Sequence, residues 1–164
     1  MQHPLEVAQT KGTGRLLHLN LTNSHLIAGE LLTEDTIARI SNPQRRSVLL
    51  YPDSAEHAPI ANPQTIPTDL RLIIVDATWR KSRKMLHLNP LLNTLPRLSL
   101  RDPPASRYAI RKAHQPHQLS TLEATCHALL QLGESPSALQ TLLTSFDGFV
   151  AQQESYRNDP RNST

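Results

Sequence analysis

The chain is poor in the residues that several common chemistries need. Of its 164 residues one is a cysteine, Cys126, and aromatics make up 4%. A single cysteine excludes an intrachain disulfide and any cysteine-based zinc cluster within the chain. Placed in an expected helix, Cys126 reads as a small buried apolar residue. With so few aromatics, the core has to be built mainly from Leu, Ile, Val and Ala. No apolar run approaches the roughly 18 residues of a transmembrane helix. The N-terminus also lacks the basic-then-apolar layout of a signal peptide, so a cytoplasmic protein is expected. There is no Walker loop, no G-x-G-x-x-G and no G-x-S-x-G elbow. ATPase, Rossmann dehydrogenase and serine hydrolase readings thereby lose their usual support. His114 and His117 form an H-x-x-H pair with a proline between them and no third ligand apparent, so no metal is expected.

What is present is unevenly placed. The length suits one domain, expected over residues 1–157, with a disordered tail at 158–164. The net charge is +3, but residues 71–112 hold ten Lys/Arg against two Asp/Glu, net +8. The flanking segments are net −2 (1–70) and net −3 (113–164). Such a concentration suits an anionic partner, although a cationic helix face in solvent gives the same signal.

Thirteen prolines and five glycines cut the chain into short elements. Gly12-Thr13-Gly14 opens a short helix. His25 to Gly29 and Ser47 to Pro52 are expected strands, with a helix from Glu34 to Ser41 between them. Leu70 to Asp76 is the clearest strand. A helix begins at Thr78 and ends at Asn89-Pro90. Arg97 to Leu100 is a further strand. A helix from Ser120 to Leu132 stops at Gly133, and a last one runs from Pro136 to Gln153. Alternating strands and helices give an α/β fold with a mostly parallel sheet flanked by helices. In such folds ligands bind beyond the carboxyl ends of strands. Met1 to Glu6 reads as the end of a strand that begins upstream.

Three clusters carry the candidate chemistry. Asp76-Ala77-Thr78-Trp79 follows the apolar run Arg71 to Val75 and leads into Arg80, Lys81, Arg83 and Lys84. Asp76 is a candidate acid–base or orienting carboxylate, and equally a helix cap. Trp79 suits stacking on a base or cofactor ring, or a place in the core. The second cluster is Leu119-Ser120-Thr121-Leu122-Glu123-Ala124. Ser120 and Glu123 fit a capping box, and the helix start they cap presents backbone donors to a polar ligand. The third is Ser106 to Lys112, where Arg107, Arg111 and Lys112 surround Tyr108 in a pattern compatible with nucleic acid.

Taken together these clusters resemble the DTW-domain family, named for an Asp-x-Thr-Trp motif that stands here as Asp76-Ala77-Thr78-Trp79. Further blocks agree in order: His3-Pro4 with Glu6, Thr13-Gly14-Arg15-Leu16-Leu17, Tyr51-Pro52, Ser106-Arg107-Tyr108 with Arg111-Lys112, and Leu119 to Ala124. The resemblance implies a tRNA-uridine aminocarboxypropyltransferase with a SPOUT-like fold and a C-terminal trefoil knot. It implies transfer of the 3-amino-3-carboxypropyl group of S-adenosylmethionine to N3 of a variable-loop uridine, releasing 5′-methylthioadenosine. Asp76, Thr78 and Trp79 become the catalytic candidates. Tyr51, Pro52, Trp79, Leu119, Ser120, Thr121 and Glu123 become the cofactor wall. Arg15, Arg80, Lys81, Arg83, Lys84, Arg107, Tyr108, Arg111 and Lys112 become the tRNA contacts. Family members usually begin with a cysteine-rich segment and a first strand ahead of the His-Pro block, which this chain does not contain, so either a minimal member or an upstream start is expected. The alternatives are a SPOUT-type methyltransferase and a non-catalytic tRNA-binding module.

Overall fold

The structure is a computed structural model, which describes residues 1–7, 9, 12–54, 69–106 and 119–158. The sheet is short and parallel. It comprises β1 (Arg46–Leu50), β2 (Leu70–Ile73) and β3 (Arg97–Leu98) in the order β2-β1-β3. Parallel strands covered on both faces need apolar side chains on both, and β1 supplies them. Val48 packs toward Leu98 and Ala128, whereas Leu49 packs toward Ile40, Leu86 and Leu92.

Helices cover both faces. On one side lie α3 (Glu34–Ser41), α4 (Trp79–Leu88) and α5 (Pro90–Thr94). On the other lies α6 (Thr121–Gln131), which also packs against α2 (Thr13–Asn20) and α7 (Pro136–Asn158) around Leu17, Leu122, Cys126 and Phe146. A single turn, α1 (Pro4–Val7), precedes α2. The α/β fold with a parallel sheet flanked by helices is as expected. The tail is described only at Asn158, which ends α7; residues 159–164 lie outside the described residues. No proline interrupts α7 between Gln153 and Asn158, so the helix outlasts its expected end.

Several strands are shorter than expected. Beyond Ile73 the chain leaves β1 and pairs with Met1–His3: the Met1 amine donates to Ile74 O at 2.7 Å, Asp76 N to Met1 O at 2.8 Å, and His3 N to Asp76 O at 3.0 Å. Gln2 bridges Ala28 on its other side. His25–Gly29 is a bridge at Ala28 and not a strand, with Gln2 N donating to Ile27 O and Gly29 N to Gln2 O. Arg97–Leu100 shortens to Arg97–Leu98, after which Ser99 turns to side-chain bonds.

Cys126 is fully buried, and that burial, with Glu123 nearby, pushes its thiol up to about 11. At pH 8 roughly one such thiol in a thousand is ionised. Alkylation of the folded protein by iodoacetamide is expected to run on the order of 100-fold slower than after unfolding. Mass spectrometry of timed samples reads this directly; equal rates would place the thiol in solvent.

Candidate active site

The site lies where the carboxyl ends of β1 and β2 meet the start of α6. A cavity of about 750 Å³ opens there. Its walls come from Tyr51 and Pro52 after β1, from Ala77 to Arg80 after β2, and from Leu119 to Thr121 at the α6 start. Volume and lining suit a ligand of nucleoside size.

The D-A-T-W turn divides its labour. Thr78, not Asp76, caps α4, its hydroxyl accepting from Lys81 N at 3.4 Å. Asp76 is thereby spared the capping role that the sequence allowed it. Its Oδ1 accepts from Thr121 Oγ1 at 2.6 Å and its Oδ2 from Gln2 Nε2 at 2.9 Å. Gly14 lies so close that a Cβ there would fall 2.3 Å from Asp76 Oδ2. Asp76 therefore ties Met1–His3, α2 and α6 to the strand end. Its side chain is not among the cavity's lining residues.

Trp79 is 49% exposed and lines the cavity, so the core reading does not hold for it. Its ring meets Tyr51 edge-on at 5.7 Å. The Tyr51 hydroxyl bonds Ser82 Oγ at 3.0 Å, and the Arg97 guanidinium stacks 5.1 Å from the Tyr51 ring centre. Arg97 is buried, donates to Pro52 O at 2.9 Å, and keeps a buried Nε with no partner among the described residues. A buried guanidinium over an aromatic face fixes that ring's orientation.

The α6 start matches the expected capping box. Ser120 Oγ accepts from Glu123 N at 3.2 Å, and Glu123 Oε2 accepts from Ser120 N at 2.8 Å. Glu123 also accepts from Ser106 Oγ and is buried, so it builds the cap and does not line the cavity, unlike Leu119, Ser120 and Thr121. The positive end of α6 faces the cavity.

The basic run is split. Arg80 and Arg83 are exposed and line the cavity mouth, and Arg15 is exposed on α2. Lys81 pairs with Glu6 at 2.8 Å and is largely covered. Lys84 pairs with Glu30 at 2.7 Å, its own side chain 57% exposed. The Lys84 ammonium, then His3, hold Glu30 below the usual carboxylate range. The His3 ring accepts from Leu5 N through Nδ1, which leaves the proton on Nε2 to donate to Glu30 at 2.6 Å. Arg107, Tyr108, Arg111, Lys112, His114 and His117 lie outside the described residues.

Sequence reasoning passed over Asp53, Ser82, Arg97 and Ser99. Asp53, Ser82 and Ser99 line the cavity, and Arg97 supports its wall. Ser99 follows directly on β3 and Asp53 lies three residues past β1, beyond strand ends, the position that marks a site in this architecture.

No solved structure matches the chain significantly. The sequence model of the DTW domain matches residues 1–154, nearly the whole length, and spans every wall of the cavity. The chain belongs to the DTW-domain family, the family of tRNA-uridine aminocarboxypropyltransferases.

Proposed function

We propose that this chain transfers the 3-amino-3-carboxypropyl group of S-adenosylmethionine to N3 of a uridine in the tRNA variable loop. The observation that carries the reading is one cavity that gathers Tyr51-Pro52, Thr78-Trp79 and Leu119-Ser120-Thr121 beneath Arg80 and Arg83. The family's tRNA-modifying role gives the acceptor class. The SPOUT-like relationship and its C-terminal knot belong to the same proposal, as does a cytoplasmic location.

In the reaction, uridine N3 bonds to the tail carbon next to the sulfonium. The carbon–sulfur bond breaks with its electron pair passing to sulfur, giving neutral 5′-methylthioadenosine, and the N3 proton is released to water. The protein's task is positioning, because three carbons flank the sulfur and geometry selects among them. Trp79 and Tyr51 supply aromatic surface for an adenine or a splayed-out base. Thr78 holds the α4 start that carries Trp79. Asp76 acts as a positioning residue, holding Thr121 against the strand ends. Arg15, Arg80, Arg83 and Lys84, together with Arg107, Tyr108, Arg111 and Lys112, take the tRNA, while Lys81 serves the fold through Glu6.

The test is mass spectrometry of nucleosides from unmodified tRNA incubated with the protein and S-adenosylmethionine. A uridine heavier by one aminocarboxypropyl group, with methylthioadenosine as by-product, is the expected result. A methylated uridine with S-adenosylhomocysteine would make the chain a methyltransferase. Salt-sensitive tRNA binding without any product would make it a binding module.

A further inference from the structure

We propose that Asp53 holds the α-ammonium of the S-adenosylmethionine tail and so fixes which carbon beside sulfur is presented for attack. The proposal rests on the reading that this cavity takes S-adenosylmethionine. Among the described residues that line the cavity, Asp53 is the only carboxylate. The other two acids of the neighbourhood are committed elsewhere: Asp76 to Gln2 and Thr121, Glu123 to its capping box and Ser106.

Asp53 is held in place from β3. Ser99 Oγ donates to its Oδ2 at 2.6 Å, and the buried Arg97 donates to the adjoining Pro52 carbonyl at 2.9 Å. Ser99 is fixed in turn by α6, where Gln131 Nε2 donates to its carbonyl at 3.0 Å. Ser99 occupies one carboxylate oxygen, and a carboxylate retains acceptor capacity on the other. An acid anchored in this way at a strand's carboxyl end is preorganised, which lowers the ordering cost of binding.

The opposite charge comes from α4, whose Arg80 and Arg83 line the same cavity. One carboxylate and two guanidiniums on an otherwise largely apolar and aromatic wall complement an aromatic nucleoside that carries a zwitterionic amino acid. The ammonium suits Asp53, and the tail carboxylate suits a guanidinium. A tail tethered at its ammonium has its reactive carbon placed by the protein, which makes Asp53 a specificity determinant for tail transfer over methyl transfer.

The experiment is calorimetric titration of wild type and Asp53→Asn with three ligands: S-adenosylmethionine, S-adenosylhomocysteine and 5′-methylthioadenosine. The first two carry the ammonium, the third lacks the tail, and only the first has charged sulfur. Asp53 is exposed, and asparagine keeps an acceptor for Ser99, so the fold is retained; a thermal melt verifies it. Losing a charge-assisted hydrogen bond is expected to weaken both tailed ligands about 10-fold to 100-fold while methylthioadenosine changes less than about twofold. Ser99→Ala is expected to weaken the same two ligands to a smaller degree. Equal weakening of all three ligands would assign Asp53 to the ribose and overturn the proposal. So would weakening of S-adenosylmethionine alone, which would assign it to the sulfonium, or no change at all. A wild type that binds none of the three would instead sink the underlying reading of the cavity.

Discussion

Gly14→Ala is expected to destabilise the protein by about 2–3 kcal/mol, although alanine is the better helix former. Gly14 is buried in the first turn of α2. A Cβ added there would lie 2.3 Å from Asp76 Oδ2 and 2.8 Å from its Cγ. A flexible surface carboxylate would swing aside at little cost. This one is held by Thr121 at 2.6 Å and Gln2 at 2.9 Å. Each hydrogen bond to a charged group contributes about 1.5–3 kcal/mol, so displacement outweighs the roughly 1 kcal/mol that alanine gains in a helix. If α2 moves instead, Leu17 leaves the cluster around Leu122 and Phe146. For a chain of this size the melting temperature should fall by roughly 5–10 °C.

Gly148→Ala is the control. It lies in α7, where an added Cβ meets nothing within 4 Å, and it should stabilise by about 0.5–1 kcal/mol. Urea titration followed by circular dichroism measures both variants. A Gly14→Ala protein as stable as wild type would mean that Asp76 does not crowd α2.

Local rules made some of this fold legible. Glu34–Ser41 ends where it was expected, and the Ser120–Glu123 box and Gly133, at φ 91°, bracket α6 as the sequence indicates. Tyr51-Pro52 and Thr78-Trp79 were legible as candidates because they follow strand ends, and Leu119 to Thr121 because it starts a helix, but only the family resemblance joined them into one pocket. What stayed hidden depends on partners far away in the chain. Asp76 suited the cap of α4 and Thr78 read as its first residue, and only the pairing of Ile74–Asp76 with Met1–His3 leaves the cap to Thr78. Pro90 reads as a stop, yet it occupies the first position of α5, where its missing N–H costs nothing. The family resemblance assigns all four cations of the basic run to tRNA, but Lys81 and Lys84 meet acids 75 and 54 residues away. Asp53 carried no local signal beyond its place after a strand, and its support by Ser99 requires β3 beside β1.

Asp76→Ala is expected to cost about 2–4 kcal/mol and to lower the modification rate on the order of 100-fold, whereas Asp76→Asn should retain activity within about tenfold. Alanine leaves the buried Gln2 amide and the Thr121 hydroxyl without their shared acceptor. The α6 start then loses its tie to the strand end, and the cavity loses a fixed wall. Asparagine is different. Its oxygen accepts from Gln2, and its amide donates to Thr121, whose hydroxyl reverses its role. The shape survives and the charge is gone. Melting temperatures, S-adenosylmethionine affinities and single-turnover rates of the two variants therefore separate position from charge. A positioning role predicts that rate follows affinity and stability, with asparagine rescuing all three. If asparagine is as inactive as alanine while melting and binding like wild type, the negative charge itself takes part in removing the N3 proton. Asp76 would then have to gain access to the cavity when tRNA binds, because its side chain does not line it before the uridine arrives.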